Sequence, residues 1–207
     1  MKHVITILAD GFEEIEAITV IDLLRRAKIK VTILGLDSLE ICGAHNIRIR
    51  ADNLLDSFDK EYDGIILPGG MPGTTNLANS SKVINLVKSS FNKGLLCAAI
   101  CAAPSVLGKA GILEGKKAVC FPGFESSLHG SITTEKKSAI KDGNIITSRG
   151  PGTAIPFSLE IISYLENPEI SEKIKKTILY WAKQPKAIVH DKDHKLTWRA
   201  KPEEMAI

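Results

Sequence analysis

Hydrophobic positions along the chain alternate between unbroken apolar runs and runs with helical spacing. Residues 3–9, HVITILA, form a continuous apolar run, which is typical of a strand buried on both faces. In residues 13–28, which follow, the apolar positions recur at the three- to four-residue spacing of one helix face. The same reading predicts further strands at residues 30–36, 47–51, 62–70, 94–100, 117–121 and 143–148, and further helices at residues 80–92, 102–109, 153–166 and 169–183.

Strands that alternate with helices of this length indicate βαβ units, and therefore an α/β fold with a parallel sheet and helices on both of its faces. In such sheets, ligands bind beyond the carboxyl ends of the strands. Three short segments are predicted at that edge. They are ADGFEEIE from Ala9, LPGGMPGT from Leu67, and Cys101 after the strand at 94–100. We expect the three to converge on one site.

Composition and charge narrow the class of protein. The 207 residues are 44% hydrophobic and 25% charged, which suits one well-cored domain better than two. The net charge is only +3, and the densest basic cluster, residues 173–176, lies among Glu169 and Glu172 on a predicted helix. A solvated helix face explains this cluster better than a nucleic-acid surface, so no nucleic-acid partner is expected.

The N-terminus and the cysteines bear on where the protein works. The apolar part of MKHVITILADG is too short for a signal peptide, and no run approaches the ~18 apolar residues of a membrane span. The sequence therefore predicts a cytoplasmic protein with no membrane partner. The cysteines show no CxxC pair and no regular spacing with histidine, so neither a disulfide framework nor a metal site is indicated, and no cofactor is expected. The four are Cys42, Cys97, Cys101 and Cys120.

Cys101 is the strongest candidate for a nucleophile. It ends an apolar strand and opens a predicted helix, where unpaired N–H groups and the positive end of the helix dipole favour the thiolate. Its neighbours Ala99, Ala102 and Ala103 are small, as a tight strand-to-helix turn with a projecting side chain requires. From this stretch alone, a buried structural cysteine is an equal alternative. Cys97, within the same strand, is interpreted as core.

Two other segments could complete a site around this cysteine. Gly69 and Gly70 either form an ordinary turn or supply backbone N–H groups to an oxyanion hole. Glu16 heads an apolar helical stripe with Val20 and Leu23, so its carboxyl is predicted to be buried and to resist ionisation. Such a carboxyl could hold a proton and donate a hydrogen bond to sulfur.

No histidine stands where a cysteine hydrolase would need one. None of the five has catalytic spacing, and His129, in SSLHGS, is the least improbable candidate. The residue directly after the cysteine is Ala102 rather than histidine.

Four ordered motifs, ILADGFEEIEA, LPGGMPG, AAICAAP and TSRGPGT, closely resemble the ThiJ/PfpI superfamily, in the branch of the Parkinsonism-associated protein deglycase. The resemblance covers about residues 3–183, which indicates one domain at residues 1–183 and a C-terminal extension at residues 184–207. It implies a flavodoxin-like three-layer α/β sandwich with a mainly parallel sheet, of the class I glutamine amidotransferase-like type. It also implies a homodimer, with the first helix as a contributor to the contact.

The resemblance assigns roles to individual residues. Cys101 would be the nucleophile and Glu16 its protonated partner. Oxyanion donors would come from the backbone of Gly69, Gly70 and Ala102. Within TSRGPGT, Arg149 and Pro151 would lie near the substrate pocket or the dimer contact. The implied activities are glutathione-independent conversion of methylglyoxal to lactate, repair of early glycation adducts, redox sensing in oxidative stress and chaperoning.

Two departures from the superfamily pattern limit these expectations. Ala102 stands where the protease side of the superfamily has histidine, which argues against a peptidase. Phe121 stands before Pro122 where many members of the branch have histidine, which leaves Glu16 as the only evident acid or base. An enzyme acting on small dicarbonyls and a sensor or chaperone that uses oxidation of the same cysteine therefore both stay open. A glutamine amidotransferase is disfavoured because no downstream catalytic His and Glu are found, and nothing indicates a thiamin-specific site.

Overall fold

The computed structural model describes residues 1–134 and 137–180, together with the backbone of residues 189–190 and 196–197. The chain divides into two compact units, Met1–Ile174 and Lys175–Ile207. The first unit contains the main sheet and every residue predicted to take part in the site.

Strands and helices follow one another much as the hydrophobic pattern predicts. The strands are β1 His3–Leu8, β2 Lys30–Gly35, β3 Glu40–Cys42, β4 Arg48–Arg50, β5 Asn53–Leu54, β6 Gly64–Leu67, β7 Leu96–Ile100, β8 Lys117–Ala118, β9 Ile132–Thr133, β10 Ala139–Asp142, β11 Ile145–Ser148, β12 Val189–His190 and β13 Leu196–Thr197. The α-helices are α1 Glu14–Arg26, α2 Gly73–Asn79, α3 Ser81–Asn92, α4 Pro104–Lys109, α5 Ala154–Leu165 and α6 Pro168–Thr177. Short 3-10 helices are Leu55–Ser57, Glu125–Ser127 and Pro151–Thr153.

Seven strands form one sheet in the order β10-β11-β7-β6-β1-β2-β5. Neighbouring strands run parallel throughout, except that β10 pairs antiparallel with β11 at the edge. The predicted α/β fold with a mainly parallel sheet is confirmed. Since β1, β6 and β7 are adjacent, the segments that follow these three strands emerge side by side at one edge of the sheet.

Helices cover both faces of this sheet. Helices α1 and α5 pack against each other on one face, while α2, α3 and α4 form a second group on the other. Alternate residues of the central strands, such as Ile5, Ile65 and Cys97, point into a core shared with Val87 and Leu107 of the second group. The central strands are buried on both faces, which is why they read as unbroken apolar runs in the sequence.

Several elements differ from the prediction. Helix α2 was not predicted, because its sequence GTTNLAN is poor in strong helix formers and gives little signal. Residues 47–51 contribute β4, which pairs with β3 outside the main sheet. The strand predicted at 117–121 is only β8, which pairs with β9 in a separate two-stranded sheet. The sequence gives little signal for the edge strand β10, because the strand is short and only one of its four residues is buried.

In the second unit, β12 and β13 pair antiparallel. The rest of the predicted extension, 184–207, lies outside the described residues, as does the end of the helix predicted at 169–183. Among the helices of the described chain, none combines the length and the apolar character needed to cross a membrane.

Candidate active site

Cys101 lies on a strained turn between β7 and α4. Its φ is 65°, which is unusual for a residue other than glycine and marks stored backbone strain. The turn is held on both sides by backbone hydrogen bonds. Cys101 N–H donates to the carbonyl of Ser148 at 3.0 Å, and the Cys101 carbonyl accepts from Phe121 N–H at 2.8 Å. The side chain is thereby fixed in a half-buried position at the carboxyl edge of the sheet.

The glycine pair after β6 lies directly against this turn. The backbone N–H groups of Gly70 and Ala102 face the Cys101 sulfur and favour its thiolate form. Gly69 N–H has a different partner from the predicted one, since it donates to Glu16 Oε2 at 2.8 Å. Two of the three predicted donors therefore face the sulfur, and the third fixes the carboxyl.

Gly69 also leaves the space that the site needs. A Cβ on this residue would lie 2.6 Å from Cys101 Cβ and 2.8 Å from Glu16 Oε2. Both distances are far below ordinary van der Waals contact. Any larger residue at position 69 would therefore push the thiol and the carboxyl apart.

Glu16, in the first turn of α1, is fully buried, with 0% of its surface exposed. Val20 and Leu23, which follow it on the same helix face, are buried too, as the apolar stripe predicts. Burial raises the pKa of Glu16 to about 7, although the hydrogen bond from Gly69 N–H and the adjacent Cys101 thiol oppose the shift. Oε1 is buried and has no hydrogen-bond partner among the described residues. At neutral pH the carboxyl can therefore either hold a proton or accept one.

The thiol of Cys101 is less acidic than its place before a helix predicts. Burial raises its pKa to about 12, and the adjacent Glu16 carboxylate contributes to the increase. These effects exceed the contribution of the Gly70 and Ala102 N–H groups, and α4 has only six residues, so it offers little dipole. When Glu16 is protonated, the like charge is replaced by an O–H donor, and the pKa of the thiol falls. A thiolate at Cys101 thus depends on a proton at Glu16.

Arg149 and Pro151 follow β11 and lie on the other side of the cysteine turn. Arg149 comes directly after Ser148, whose carbonyl accepts from Cys101 N–H, and Pro151 begins a 3-10 helix. Arg149 lines a cavity of about 200 Å³ with Val119, Cys120, Glu125, Thr133 and Thr134. Burial raises the pKa of Cys120 to about 11, while the Arg149 charge opposes the shift. The structure thus places Arg149 in a cavity beside a second thiol.

The remaining predictions concern Cys97, Phe121 and His129. Cys97 is fully buried in the core, as interpreted, and burial raises the pKa of its thiol to about 12. Phe121 is 43% exposed and bonded through its backbone to Cys101. His129 is exposed, and it is not part of the site geometry described above.

His45, a histidine that the sequence did not single out, lies in the turn before β4 and contacts the start of α1. Nδ1 of His45 is 2.9 Å from Oε2 of Glu14 and 3.7 Å from Oε2 of Glu13. In the described part of the chain, these three residues are the one group of three whose ligand atoms lie close enough to hold a metal ion. The sequence carries no signal for this grouping, because the turn before β4 and the start of α1 are some thirty residues apart along the chain.

The arrangement suits covalent chemistry at a carbonyl. A proton-carrying carboxyl and two N–H donors lie around the nucleophile, the Cys101 sulfur. The N–H groups that face sulfur can also stabilise negative charge on an oxygen bonded next to it. A group with a pKa near 7 can both give and take protons in neutral solution.

Comparison with known proteins places the chain in a family. A model of the DJ-1/PfpI family matches residues 2–164. Protein dj-1beta of Drosophila melanogaster is 40% identical over 181 residues, covering 86% of this chain and 97% of the relative. Glutathione-independent glyoxalase DJR-1.2 of Caenorhabditis elegans is 34% identical, covering 80% of this chain and 89% of the relative.

Solved structures agree in fold. The crystal structure of Drosophila DJ-1beta superposes with a TM-score of 0.83 over 86% of this chain and 97% of the other. Oxidized DJ-1 of Toxoplasma gondii, 36% identical, also gives 0.83, over 87% of this chain and 99% of the other. The α/β sandwich of the flavodoxin-like type is thereby confirmed.

Proposed function

Since the chain belongs to the DJ-1/PfpI family, we propose that it is a cysteine-dependent glyoxalase or deglycase acting on methylglyoxal-type dicarbonyls or early glycation adducts. The observation that carries the proposal is the pairing of the Cys101 thiol with the fully buried Glu16 carboxyl, whose pKa is about 7. The C. elegans relative named as a glutathione-independent glyoxalase supports the same chemistry.

The first step forms a bond between sulfur and the aldehyde carbon. The Glu16 carboxylate takes the Cys101 proton, and the thiolate attacks the aldehyde of methylglyoxal. Negative charge moves onto the aldehyde oxygen, where the N–H groups of Gly70 and Ala102 can stabilise it. Glu16 then returns its proton to that oxygen, which gives a hemithioacetal.

The second step moves a proton between adjacent carbons. The Glu16 carboxylate removes the proton from the carbon bonded to sulfur, which gives an enediolate with its charge on the former ketone oxygen. The hydroxyl proton of the sulfur-bonded carbon moves to that oxygen, and Glu16 returns its own proton to the neighbouring carbon. The product is a lactoyl thioester of Cys101. Water hydrolyses this thioester, releasing lactate and restoring the thiol. In sum, methylglyoxal and water give lactate and one proton.

The direct test is formation of lactate from methylglyoxal by the purified protein without glutathione. We expect lactate from the wild type and none from Cys101→Ala. A wild-type protein that forms no lactate would refute the glyoxalase proposal. Activity that persists in Cys101→Ala would remove the cysteine from the mechanism.

Redox sensing is the second candidate, and the same atoms favour it. A sulfinate at Cys101 would bring oxygens toward the Gly70 and Ala102 N–H groups and accept a short hydrogen bond from protonated Glu16. Peroxide treatment followed by intact-mass measurement should show two added oxygens on the wild type. Glu16→Leu, which lacks the donor, should gain them less readily, and equal gain would count against this role.

We further propose a homodimer and a cytoplasmic location. Ile15 and Ile18 of α1 are 56% and 43% exposed, which leaves an apolar helix face for a second copy of the chain. All four cysteines are free thiols, which suits a reducing compartment.

A further inference from the structure

Three side chains at the start of α1 and in the turn before β4 bring possible metal ligands to one point. Nδ1 of His45 is 2.9 Å from Oε2 of Glu14 and 3.7 Å from Oε2 of Glu13. One ligand atom of each residue lies within 4.8 Å of the other two. Ligand atoms bound to one zinc ion at about 2.0–2.2 Å lie roughly 3.0–3.4 Å apart. The cluster is therefore close to the spacing that a small divalent ion requires.

The charges of this cluster do not balance. The side chains of Glu13 and Glu14 are only 13% and 5% exposed, and carboxylates withdrawn from water need a counter-charge. Within the described part of the chain, no lysine or arginine lies at ion-pair distance from either carboxylate, and His45 supplies at most one positive charge. The positive end of α1 adds only about half an elementary charge. A divalent cation would balance both carboxylates.

Glu14 is held in the orientation of a metal ligand. Its Oε1 accepts from the backbone N–H groups of His45 at 2.7 Å and Ile47 at 3.4 Å, which leaves Oε2 directed at the imidazole. Hydrogen bonds to the second oxygen of a carboxylate are how proteins fix such a ligand before the metal binds. Gly43 makes the close approach possible, because a Cβ at this position would overlap Oε1 of Glu14.

The turn that carries His45 is fixed to the helix start by its backbone. Ala44 N–H donates to the carbonyl of Phe12 at 2.8 Å, and Gly43 N–H donates to the carbonyl of Ile47 at 2.9 Å. The ligands therefore stand on backbone segments that are already in contact. Only the side chains of Glu13 and His45 need to adjust for three atoms to surround an ion.

We propose that Glu13, Glu14 and His45 bind a zinc ion, with water in the remaining position. One imidazole nitrogen and two carboxylate oxygens suit Zn²⁺, whereas Mg²⁺ and Ca²⁺ take oxygen ligands. The imidazole binds through Nδ1, and its 68% exposed side chain leaves Nε2 to water. The inference goes beyond the proposed glyoxalase function and does not rest on it.

The imidazole already faces the negative charge that would hold the ion. The hydrogen bond to Glu14 raises the pKa of His45, and the Glu13 and Glu14 charges add to the increase. Without metal, a proton thus occupies the position between Nδ1 and Glu14, and zinc displaces it. The ion would tie the turn before β4 to α1. Since it binds the folded chain only, it should also stabilise the fold.

The test is equilibrium dialysis of the purified protein against low micromolar Zn²⁺. It compares the wild type with His45→Ala and with Glu14→Gln, whose amide oxygen can still accept from the backbone N–H groups. His129→Ala is the matched control, since His129 is also exposed. We expect the wild type and the control to hold one more zinc ion per chain than the two site variants, whose affinity should fall at least about tenfold. Cys101→Ala should keep this ion.

Thermal unfolding with and without zinc is the second measurement. Zinc should raise the unfolding midpoint of the wild type and of His129→Ala, a chelator should reverse the increase, and His45→Ala should not respond. Unfolding without zinc shows whether each variant is folded.

Equal zinc content of the wild type, His45→Ala and Glu14→Gln would overturn the site, as would binding that begins only at millimolar zinc. Loss of the ion in Cys101→Ala alone would assign it to that thiol and overturn the proposal as well. Neither measurement uses methylglyoxal. A protein that forms no lactate therefore refutes the proposed function alone, and a protein that binds no zinc refutes this site alone.

Discussion

Glu16 and Cys101 meet across a single glycine, because the N–H of Gly69 donates to the carboxyl while its missing Cβ leaves room for the thiol. The two groups compete for protons. Glu16 raises the pKa of Cys101, and Cys101 lowers the pKa of Glu16, so the titration belongs to the pair. The predictions below separate the two partners from each other and from the scaffold that holds them.

Replacement of the nucleophile should remove turnover and spare the fold. In Cys101→Ser, oxygen is a poor nucleophile without a strong base, so lactate formation should fall by at least about a thousandfold. Cys42→Ser is the matched control, since Cys42 is also a free and partly exposed thiol. Thermal unfolding should be similar in all three proteins. Loss of activity in the Cys42 variant instead would mean that the nucleophile has been misassigned.

Substitution of Glu16 should separate alkylation from turnover. In Glu16→Gln, the amide oxygen can accept from Gly69 and the amide nitrogen can donate to sulfur, while the like charge is gone. The pKa of Cys101 should fall, so alkylation at mildly alkaline pH should be at least as fast as in the wild type. Turnover should collapse, because an amide cannot shuttle a proton. A Gln variant that keeps wild-type turnover would show that Glu16 is not the acid.

Glu16→Leu is the harsher change. It leaves the buried Gly69 N–H without an acceptor, which should lower the free energy of unfolding by about 1–3 kcal/mol relative to Glu16→Gln. Chemical denaturation of the two variants at the same pH measures the difference. Equal stabilities would indicate that the Gly69 hydrogen bond contributes little.

The buried carboxyl should also make stability depend on pH. The pKa of Glu16 is raised from 4.5 to about 7 in the folded chain, so the folded state binds the proton more tightly. The stability that this bound proton adds to the fold is fully present below the unfolded pKa of Glu16 and is lost as pH rises toward and through 7. The loss amounts to roughly 3 kcal/mol, because each pKa unit of the shift corresponds to about 1.4 kcal/mol.

Denaturation of the wild type and Glu16→Gln between pH 4 and 8 isolates this effect, since other titrating groups are common to both. The difference in unfolding free energy should change steadily over about pH 4.5–7 in the direction that favours the wild type at low pH. A difference that stays constant with pH would mean that Glu16 ionises normally.

Gly69→Ala should damage the site by geometry alone. The added methyl group would overlap Cys101 Cβ and Glu16 Oε2, and it would lie 3.0 Å from the backbone carbonyl oxygen of Ile100. Alkylation of Cys101 and lactate formation should both fall more than tenfold. Gly152→Ala is the control, since a Cβ there meets no atom within 4 Å. Unimpaired activity of Gly69→Ala would contradict the close approach of these three residues.

Association of two chains should depend on α1. Sedimentation at micromolar concentration is expected to give twice the 22.5 kDa mass of the chain, and Ile15→Glu should shift it toward the monomer. Asp22→Glu, on an exposed position of the same helix, is the control. A wild-type monomer would refute the proposed dimer.

Sequence alone determined the parts of this protein that depend on local periodicity. Unbroken apolar runs at β1, β6 and β7 identified the buried central strands, because strands covered on both faces need apolar side chains on both. The apolar stripe on α1 identified Glu16 as a buried carboxyl, and the small residues around Cys101 identified the turn. These signals lie within a few residues of one another, so they can be read without the fold.

Tertiary structure decided what depends on residues that are distant along the chain. It directed Gly69 N–H to Glu16, 53 positions away, rather than to sulfur. It also raised the pKa of the Cys101 thiol, through burial and through the Glu16 carboxylate 85 positions away. It also brought His45 to Glu14, across 31 positions, through hydrogen bonds that no sequence period encodes. Electrostatic effects and hydrogen bonds act through space, so only the packed fold could fix which groups share a proton in this site.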